Sequence, residues 1–281
     1  MARALRIKYP GAVYHITSRG NKKEPIFYNP KDRLAFFSTI KSVIKLHNWI
    51  CHAYCLMDNH YHLLIETPDG NLSDGMRDLN SNYTQVFNKT HSTVGYLLQG
   101  RFHSFIIEKE TYLLEVARYL VLNPVRAQIV QHPKDWEWSS YNATCGLSHG
   151  ESFLTTDGIL AMFSIDKAKA QQQYKQFILD GLYGDSIFKS VKHKGILGSP
   201  QFIHEMWKQS QKTFLVEAIP KEERIIGRLS LEDIFSEEGV TREARDKKIR
   251  MARILCGYSV AEIARFLKLS QALVSKISRK D

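Results

Sequence analysis

Trp49-Ile50-Cys51-His52-Ala53-Tyr54-Cys55-Leu56-Met57-Asp58-Asn59-His60-Tyr61-His62-Leu63-Leu64-Ile65-Glu66-Thr67 is the stretch that decides the fold. Two runs rich in β-branched and aromatic residues, Trp49 to Met57 and His60 to Thr67, flank Asp58-Asn59, a pair suited to a tight turn, so the stretch reads as a β-hairpin. Strand side chains alternate, so His60 and His62 leave the second strand on one side and Tyr61 points the other way into packing. Two imidazoles this close make either a metal site or a structural pair, and the hairpin alone does not choose between them.

Working outward, Val13 to Thr17 reads as a strand closed by the turn residues Arg19-Gly20-Asn21, and Lys31 to His47 as a helix with its apolar stripe at Leu34, Phe37, Ile40 and Ile44. Asn71 to Thr90 is helical in pattern, Phe102 to Glu108 is a strand, and Thr111 to Leu122 is a helix. The order β-α-β-β-α-β followed by a helix predicts an α+β domain over residues 1–145. Its fold would be a ferredoxin-like antiparallel sheet with helices on one face, the other face being available for ligand. Residues 146–220 read as a helical extension or linker, with helices near Ala168 to Leu182 and Pro200 to Gln211 between glycine breaks. Residues 221–281 read as a separate all-α domain.

At 281 residues the chain has room for two domains, and a hydrophobic fraction of 43% with 11% aromatics fills real cores and excludes wholesale disorder. The net charge is +10, which suits a polyanionic partner. Most of it lies at the end: residues 242–281 hold eleven basic and four acidic side chains, a net +7. No apolar run approaches the roughly 20 residues of a membrane span, and Lys8-Tyr9-Pro10 stands where an export signal would need its apolar stretch. Four cysteines make a poor disulfide framework, so they read as core filler in a reduced protein. The expected location is cytoplasmic, at the nucleoid.

Tyr119 and Asn123 are spaced i,i+4, which places a phenol and an amide on one helical face. Pro124 pushes Asn123 to the helix end or a kink. By spacing alone the pair also reads as an amphipathic core tyrosine and a C-terminal cap. Tyr83 and Tyr112 lack a metal-binding residue at i+4 and read as packing or base-stacking residues, and His15 and His103 read as structural histidines.

His60-Tyr61-His62, Arg101-Phe102, Arg118-Tyr119-Leu120-Val121-Leu122-Asn123-Pro124-Val125-Arg126-Ala127 and Trp138-Ser139-Ser140-Tyr141, together with Tyr14-His15-Ile16-Thr17-Ser18-Arg19-Gly20-Asn21, carry a resemblance. In that order and at those distances they resemble the REP-associated tyrosine transposases of the single-tyrosine, His-hydrophobic-His superfamily, over roughly residues 9–145. The resemblance implies that His60, His62 and Asn123 bind a divalent metal and that Tyr119 attacks a DNA phosphodiester, leaving a 5′-phosphotyrosine and a free 3′-hydroxyl. It also implies Mg²⁺ or Mn²⁺ as cofactor, although two imidazoles suit Mn²⁺ or Zn²⁺ better on hard–soft grounds. Arg19, Asn21, Lys22, Lys23, Arg101 and Arg126 are the candidates to follow a DNA backbone.

Tyr258 to Ile277 reads as a helix-turn-helix, with Ser259 and Glu262 as a capping box, Leu267-Lys268-Leu269 as the turn and Ser270 capping the second helix. Ile263, Leu269, Val274 and Ile277 would close its core. Gln271, Ala272, Ser275, Lys276 and Arg279 would face outward as DNA-reading positions. This tail resembles the C-terminal DNA-binding domain of the bacterial replication initiator, notably across Lys248-Ile249-Arg250-Met251-Ala252-Arg253-Ile254-Leu255.

The function expected from these readings is a metal-dependent endonuclease and strand transferase acting on single-stranded or hairpin-containing DNA. The alternative is a DNA-binding regulator that recognises hairpin or repeat DNA without cutting it. A zinc hydrolase lacks a third ligand with an adjacent general base. The partner is DNA and not a membrane. The expected assembly is a monomer, with a dimer sharing the site in trans as the alternative.

Overall fold

The structure, a computed structural model, describes residues 7–182, 184, 187, 195–213, 230–235, 241–254 and 258–278. The chain divides into two compact units, 8–190 and the part from 191 onward.

The first unit is built as β1 (Ala12–Arg19), α1 (Pro30–His47), β2 (Ile50–Leu56), β3 (His60–Thr67), α2 (Leu72–His91), β4 (His103–Ile107) and α3 (Lys109–Val121). Short helices α4 (Asn123–Arg126), α5 (Tyr141–Thr144) and α6 (Asp157–Leu160) follow, then α7 (Lys167–Asp180). The strands run in the order β2-β3-β1-β4. All three pairings are antiparallel, with Ala12 opposite Thr67 through Arg19 opposite His60 between β1 and β3. This is the ferredoxin-like sheet the element order predicts, and residues 146–182 supply part of the same unit.

Side-chain alternation decides what each face does. Tyr14, Ile16 and Ser18 of β1 share a face with Tyr61, Leu63 and Ile65 of β3. Tyr61 is fully buried there, its ring 4.7 Å from that of Phe36 on α1 and its hydroxyl bonded to Asn80 on α2. The two helices therefore lie together on this face, as expected. The opposite face carries His15, Thr17, His60, His62 and Leu64, and α3 packs over it. The surface expected to be available for ligand is thus narrowed to the end where His60 and Tyr119 keep partial exposure.

Helix α1 begins with a capping box, in which Asn29 accepts from Lys31 N–H at 2.9 Å and Asp32 accepts from Asn29 N–H at 3.2 Å, and Pro30 needs no partner at N1. Its buried side is Phe36, Phe37, Ile40 and Val43, while Leu34 is 56% exposed, which corrects the predicted stripe. Two charged residues turn the helix. Asp32 is drawn in by its capping bonds and by His91 at 2.8 Å, and Arg33 by an ion pair with Asp58 and by Trp138, whose ring centre lies 5.2 Å from the guanidinium.

The turn before His60 is fastened from several sides. Gly20 N–H donates to Asn59 O at 2.8 Å, Ile26 N–H to Asp58 O at 2.9 Å, and Arg33 holds the Asp58 carboxylate. Gly20 permits this because a Cβ there would stand 2.0 Å from the Glu24 carbonyl oxygen. Backbone cannot yield as a side-chain tip can, so Gly20→Ala should cost at least about 1–3 kcal/mol in urea unfolding. A variant as stable as the original chain would contradict this placement of the turn.

The Trp138-Ser139-Ser140-Tyr141 motif seals the β2 edge. Leu56 N–H donates to Trp138 O at 2.8 Å, Ser140 N–H to Tyr54 O at 3.0 Å and Trp136 Nε1–H to Leu56 O at 3.0 Å, so the edge strand offers fewer open ladder groups.

In the second unit the described elements are the two-residue strand β5 (Ile196–Leu197), α8 (Pro200–Thr213), α9 (Leu231–Ile234), α10 (Arg242–Ile254), α11 (Val260–Leu267) and α12 (Gln271–Ser278). Ile249, Ala252, Ile263, Val274 and Ile277 form the centre of its core, with Leu269 packed partly buried against them. The Ser259–Glu262 capping box is present, with bonds of 3.1 and 2.7 Å. Lys268 turns left-handed to end α11, and Ser270 Oγ accepts from Leu273 N–H at 3.2 Å to begin α12. Among the described residues no helix is long and apolar enough to cross a membrane.

Candidate active site

The β1–β3 register sets Thr17 opposite His62 and Arg19 opposite His60, and alternation puts His15 on the same face. His15 Nε2 lies 2.9 Å from His62 Nδ1, the two rings stacked with centroids 5.2 Å apart. Thr17 Oγ1 is 3.3 Å from the same His62 nitrogen. The His60 and His62 rings meet edge-on at 4.9 Å. The other His62 nitrogen, Nε2, is buried and has no hydrogen-bond partner. An imidazole nitrogen in that condition is costly unless something else binds it.

His60 is oriented by its neighbour. Asn59 Nδ2 donates to the Lys23 carbonyl at 3.0 Å, which turns its Oδ1 towards His60 Nδ1 at 2.7 Å. That oxygen can only accept, so Nδ1 carries the proton and Nε2 keeps its lone pair. Burial keeps all three rings neutral. It pushes His15 down to about 3 and lowers His62 well below the ordinary value, with His15 and His60 adding to the effect on His62. His60 is lowered by burial and then by the charge of Arg19, against an opposing pull from Asp58. Neutral imidazoles are the state a metal ion requires.

Tyr119 arrives on α3. Its ring stands edge-on to His62 at 6.0 Å and to His15 at 5.8 Å between centroids. Helix α3 ends at Val121, and Leu122, still in the right-handed region at φ −88°, ψ −5°, joins it to α4, which starts at Asn123-Pro124. Asn123 Nδ2 donates to the carbonyls of Tyr119 at 2.8 Å and Leu120 at 3.4 Å, so the amide does cap the helix. Burial, the largest influence, raises the Tyr119 pKa above the ordinary phenol value, while the Arg126 charge and a side-chain hydrogen bond with Asn123 pull against it. The Arg126 guanidinium carbon sits 5.3 Å from the Tyr119 ring centre, and Arg126 Nη1 is buried without a hydrogen-bond partner.

The structure therefore brings His60, His62, Tyr119 and Asn123 together, and adds three residues that the sequence reading did not place there. His15 was expected to be structural, and Thr17 and Asn59 were not singled out. Alternation along β1 marks His15 and Thr17 as sharing a face, but their partner strand lies 45 or more residues away. Among the described residues no group of three or more His, Cys, Asp or Glu side chains could hold a metal. A cation at the His60–His62 pair would need a third ligand of another type, and the Asn123 amide, bonded to the Tyr119 carbonyl, is the candidate that the sequence offers. The His60 Nε2 lone pair, the buried and unbonded His62 Nε2 and an amide oxygen are donor types that fit a divalent cation.

Arg19, Asn21, Lys22, Lys23 and Arg101 gather where β1 ends. Arg19 Nη2 donates to Gln99 Oε1 at 3.0 Å, Asn21 N–H to Leu97 O at 2.9 Å, and Lys22, Lys23 and Arg101 are exposed. Arg126, read as a backbone-following residue, lies instead against the Tyr119 ring. In the second unit Gln271, Ala272 and Lys276 are exposed on α12 and Ser275 is half-buried; Arg279 lies outside the described residues.

Residues 8–122 match the model of the family described as Transposase IS200 like. No curated protein matches the sequence. Among solved structures, one of the REP-associated tyrosine transposase bound to a REP hairpin is 19% identical, covering 56% of this chain and 93% of the other, with a TM-score of 0.46. Another, tRNA(His) guanylyltransferase from Saccharomyces cerevisiae, is 13% identical, covering 69% of this chain and 87% of the other, with a TM-score of 0.32. Strands β1 to β4, both histidines and the tyrosine all fall inside the segment that is similar to the IS200-like transposase family.

Proposed function

We propose that this protein is a metal-dependent single-strand DNA endonuclease and strand transferase that acts on hairpin-containing DNA through a phosphotyrosine. The observation that carries the reading is Tyr119 standing over the His15–His62 pair, beside a buried His62 nitrogen that none of the described residues binds. The family match supports it.

Tyr119 Oη is the nucleophile. It forms a bond to the scissile phosphorus as the bond to the 3′ oxygen breaks, and that oxygen takes up a proton and leaves as a 3′-hydroxyl. The phosphodiester energy stays in the protein–DNA bond, so a 3′-hydroxyl can later reverse the step. A free phenol has a pKa of about 10, so about one part in a thousand is ionised at pH 7. Burial makes this worse, and the Arg126 cation over the ring offsets it. Mg²⁺ or Mn²⁺ held by His60, His62 and Asn123 would withdraw charge from the phosphate oxygens. His15 and Thr17 hold the His62 ring through Nδ1, and Asn59 holds His60, so both imidazoles present Nε2. Contacts among His62, Tyr119 and Asn123 within one chain support a self-contained monomer. The exposed polar side of α12 supports a duplex-reading role for the C-terminal helices in the manner of a helix-turn-helix.

A labelled single-stranded hairpin oligonucleotide with Mg²⁺ or Mn²⁺ tests the reading. It should be cut to give one protein-linked fragment and one with a free 3′-hydroxyl. Binding without cutting would favour the regulator instead. Asn59→Ala should weaken Mn²⁺ binding by about 10–100-fold in a thermal-shift titration, the usual effect of losing a residue that orients a ligand, while Asn59→Asp keeps the acceptor and stays nearer the original.

A further inference from the structure

Tyr96 is 90% exposed, the most exposed aromatic side chain among the described residues, and Val94 beside it is 98% exposed. A large apolar ring held out in water has a cost, and in this loop the backbone on both sides of it is fastened. On one side Asn88 Nδ2 donates to the Gly95 carbonyl at 3.1 Å, and Gly95 takes φ +100°, which side chains rarely adopt. On the other side the Leu97 carbonyl accepts from Asn21 N–H at 2.9 Å, and Gln99 N–H donates to the Arg19 carbonyl at 2.8 Å. Both chain neighbours of Tyr96 are thus fastened, so the ring is presented from a fixed base and little ordering entropy remains to be lost when something packs on it.

Its surroundings identify the occupant. Arg19, Lys22, Lys23 and Arg101 ring the same corner, and Glu24 is the one acidic residue in segments 19–24 and 92–103. Arg19 bonds to Gln99 in the loop and lies opposite His60 in the strand ladder. The corner therefore runs directly into the tyrosine site. Exposed ring plus cations is the combination that takes an unpaired base on the ring and its flanking phosphates on the cations.

We infer that Tyr96, flanked by Val94, is a stacking platform for an unpaired base of the single strand leading to Tyr119, with Arg19, Lys22, Lys23 and Arg101 on the adjacent phosphates. This rests on the reading of the site as acting on single-stranded DNA. The test is fluorescence anisotropy of the full chain, without divalent metal, on a hairpin oligonucleotide carrying a single-stranded extension and on the same hairpin with a blunt end. Tyr96→Ala should lose about ten- to hundredfold in affinity for the extended hairpin and nothing for the blunt one, while Tyr96→Phe should retain binding within about threefold. Unchanged binding of the extended hairpin by Tyr96→Ala, or an equal loss in Tyr96→Phe, would overturn the platform alone. An unsubstituted chain that binds both hairpins equally would overturn the platform together with the single-strand reading beneath it.

Discussion

Tyr119→Phe should bind hairpin-containing single-stranded DNA as the unsubstituted chain does, keep its thermal stability, and lose cleavage by at least about 10⁴-fold, the scale on which loss of a nucleophile acts. The substitution removes one oxygen. The ring that remains still packs edge-on to His15 and His62 and still lies beneath Arg126. Among the described residues, the phenols on the neighbouring strands and helices are placed elsewhere. Tyr14 and Tyr61 are buried on the opposite face of the sheet, and Tyr83 gives its hydroxyl to the Ile26 carbonyl in the core. Tyr112 lies on the same helix as Tyr119, but seven residues away, nearly two turns. Cleavage assays on a labelled oligonucleotide, with binding measured separately, distinguish the loss of the reacting group from the loss of affinity. Residual cleavage within tenfold of the original would remove Tyr119 from the chemistry.

His62→Ala should have the second largest effect, and on two readouts at once. With Mn²⁺ at about 100 times its Kd, binding to the folded chain alone stabilises it by about 2.7 kcal/mol, which for a unit of this size raises Tm by roughly 5–10 °C. His62→Ala should abolish that rise and reduce cleavage by at least about 10²-fold, because it removes the nitrogen that the fold leaves unbonded. The metal-free variant will start from a lower Tm, since it also deletes a buried ring that stacks on His15. The rise, not the starting value, is therefore the measurement. Tyr119→Phe serves as the control that should keep the rise while losing the chemistry. A metal-induced rise that survives in His62→Ala would place the cation elsewhere.

The parts of the fold readable from the sequence are those set by local pattern. The hairpin around Asp58-Asn59, the shared direction of His60 and His62, and the opposite direction of Tyr61 follow from strand alternation, and the structure places each of them so. The i,i+4 spacing likewise brought Asn123 to Tyr119, even across the break at Pro124. What depends on long-range register was not readable. His15 joins His62 because β1 pairs with β3 with Thr17 opposite His62, and nothing near His15 states that offset. Asn59 orients His60 only because the Lys23 carbonyl, from a turn far back in the chain, fixes its amide. The α1 stripe differs at Leu34 because Asp32 and Arg33 are themselves drawn into burial by partners outside the helix, and those partners outweigh apolar periodicity. Arg126, a candidate to follow a DNA backbone by residue type, lies on the phenol ring, a contact no local pattern states.

The most direct measurement is the identity of the residue that becomes attached to DNA. After reaction with a hairpin oligonucleotide and Mn²⁺, the denatured and digested protein should yield a nucleotide-bearing peptide in mass spectrometry, with the 5′-phosphate joined to Tyr119 and the other DNA fragment ending in a 3′-hydroxyl. A nucleotide found on any other residue, or cut DNA with both new ends free of protein, would contradict the account.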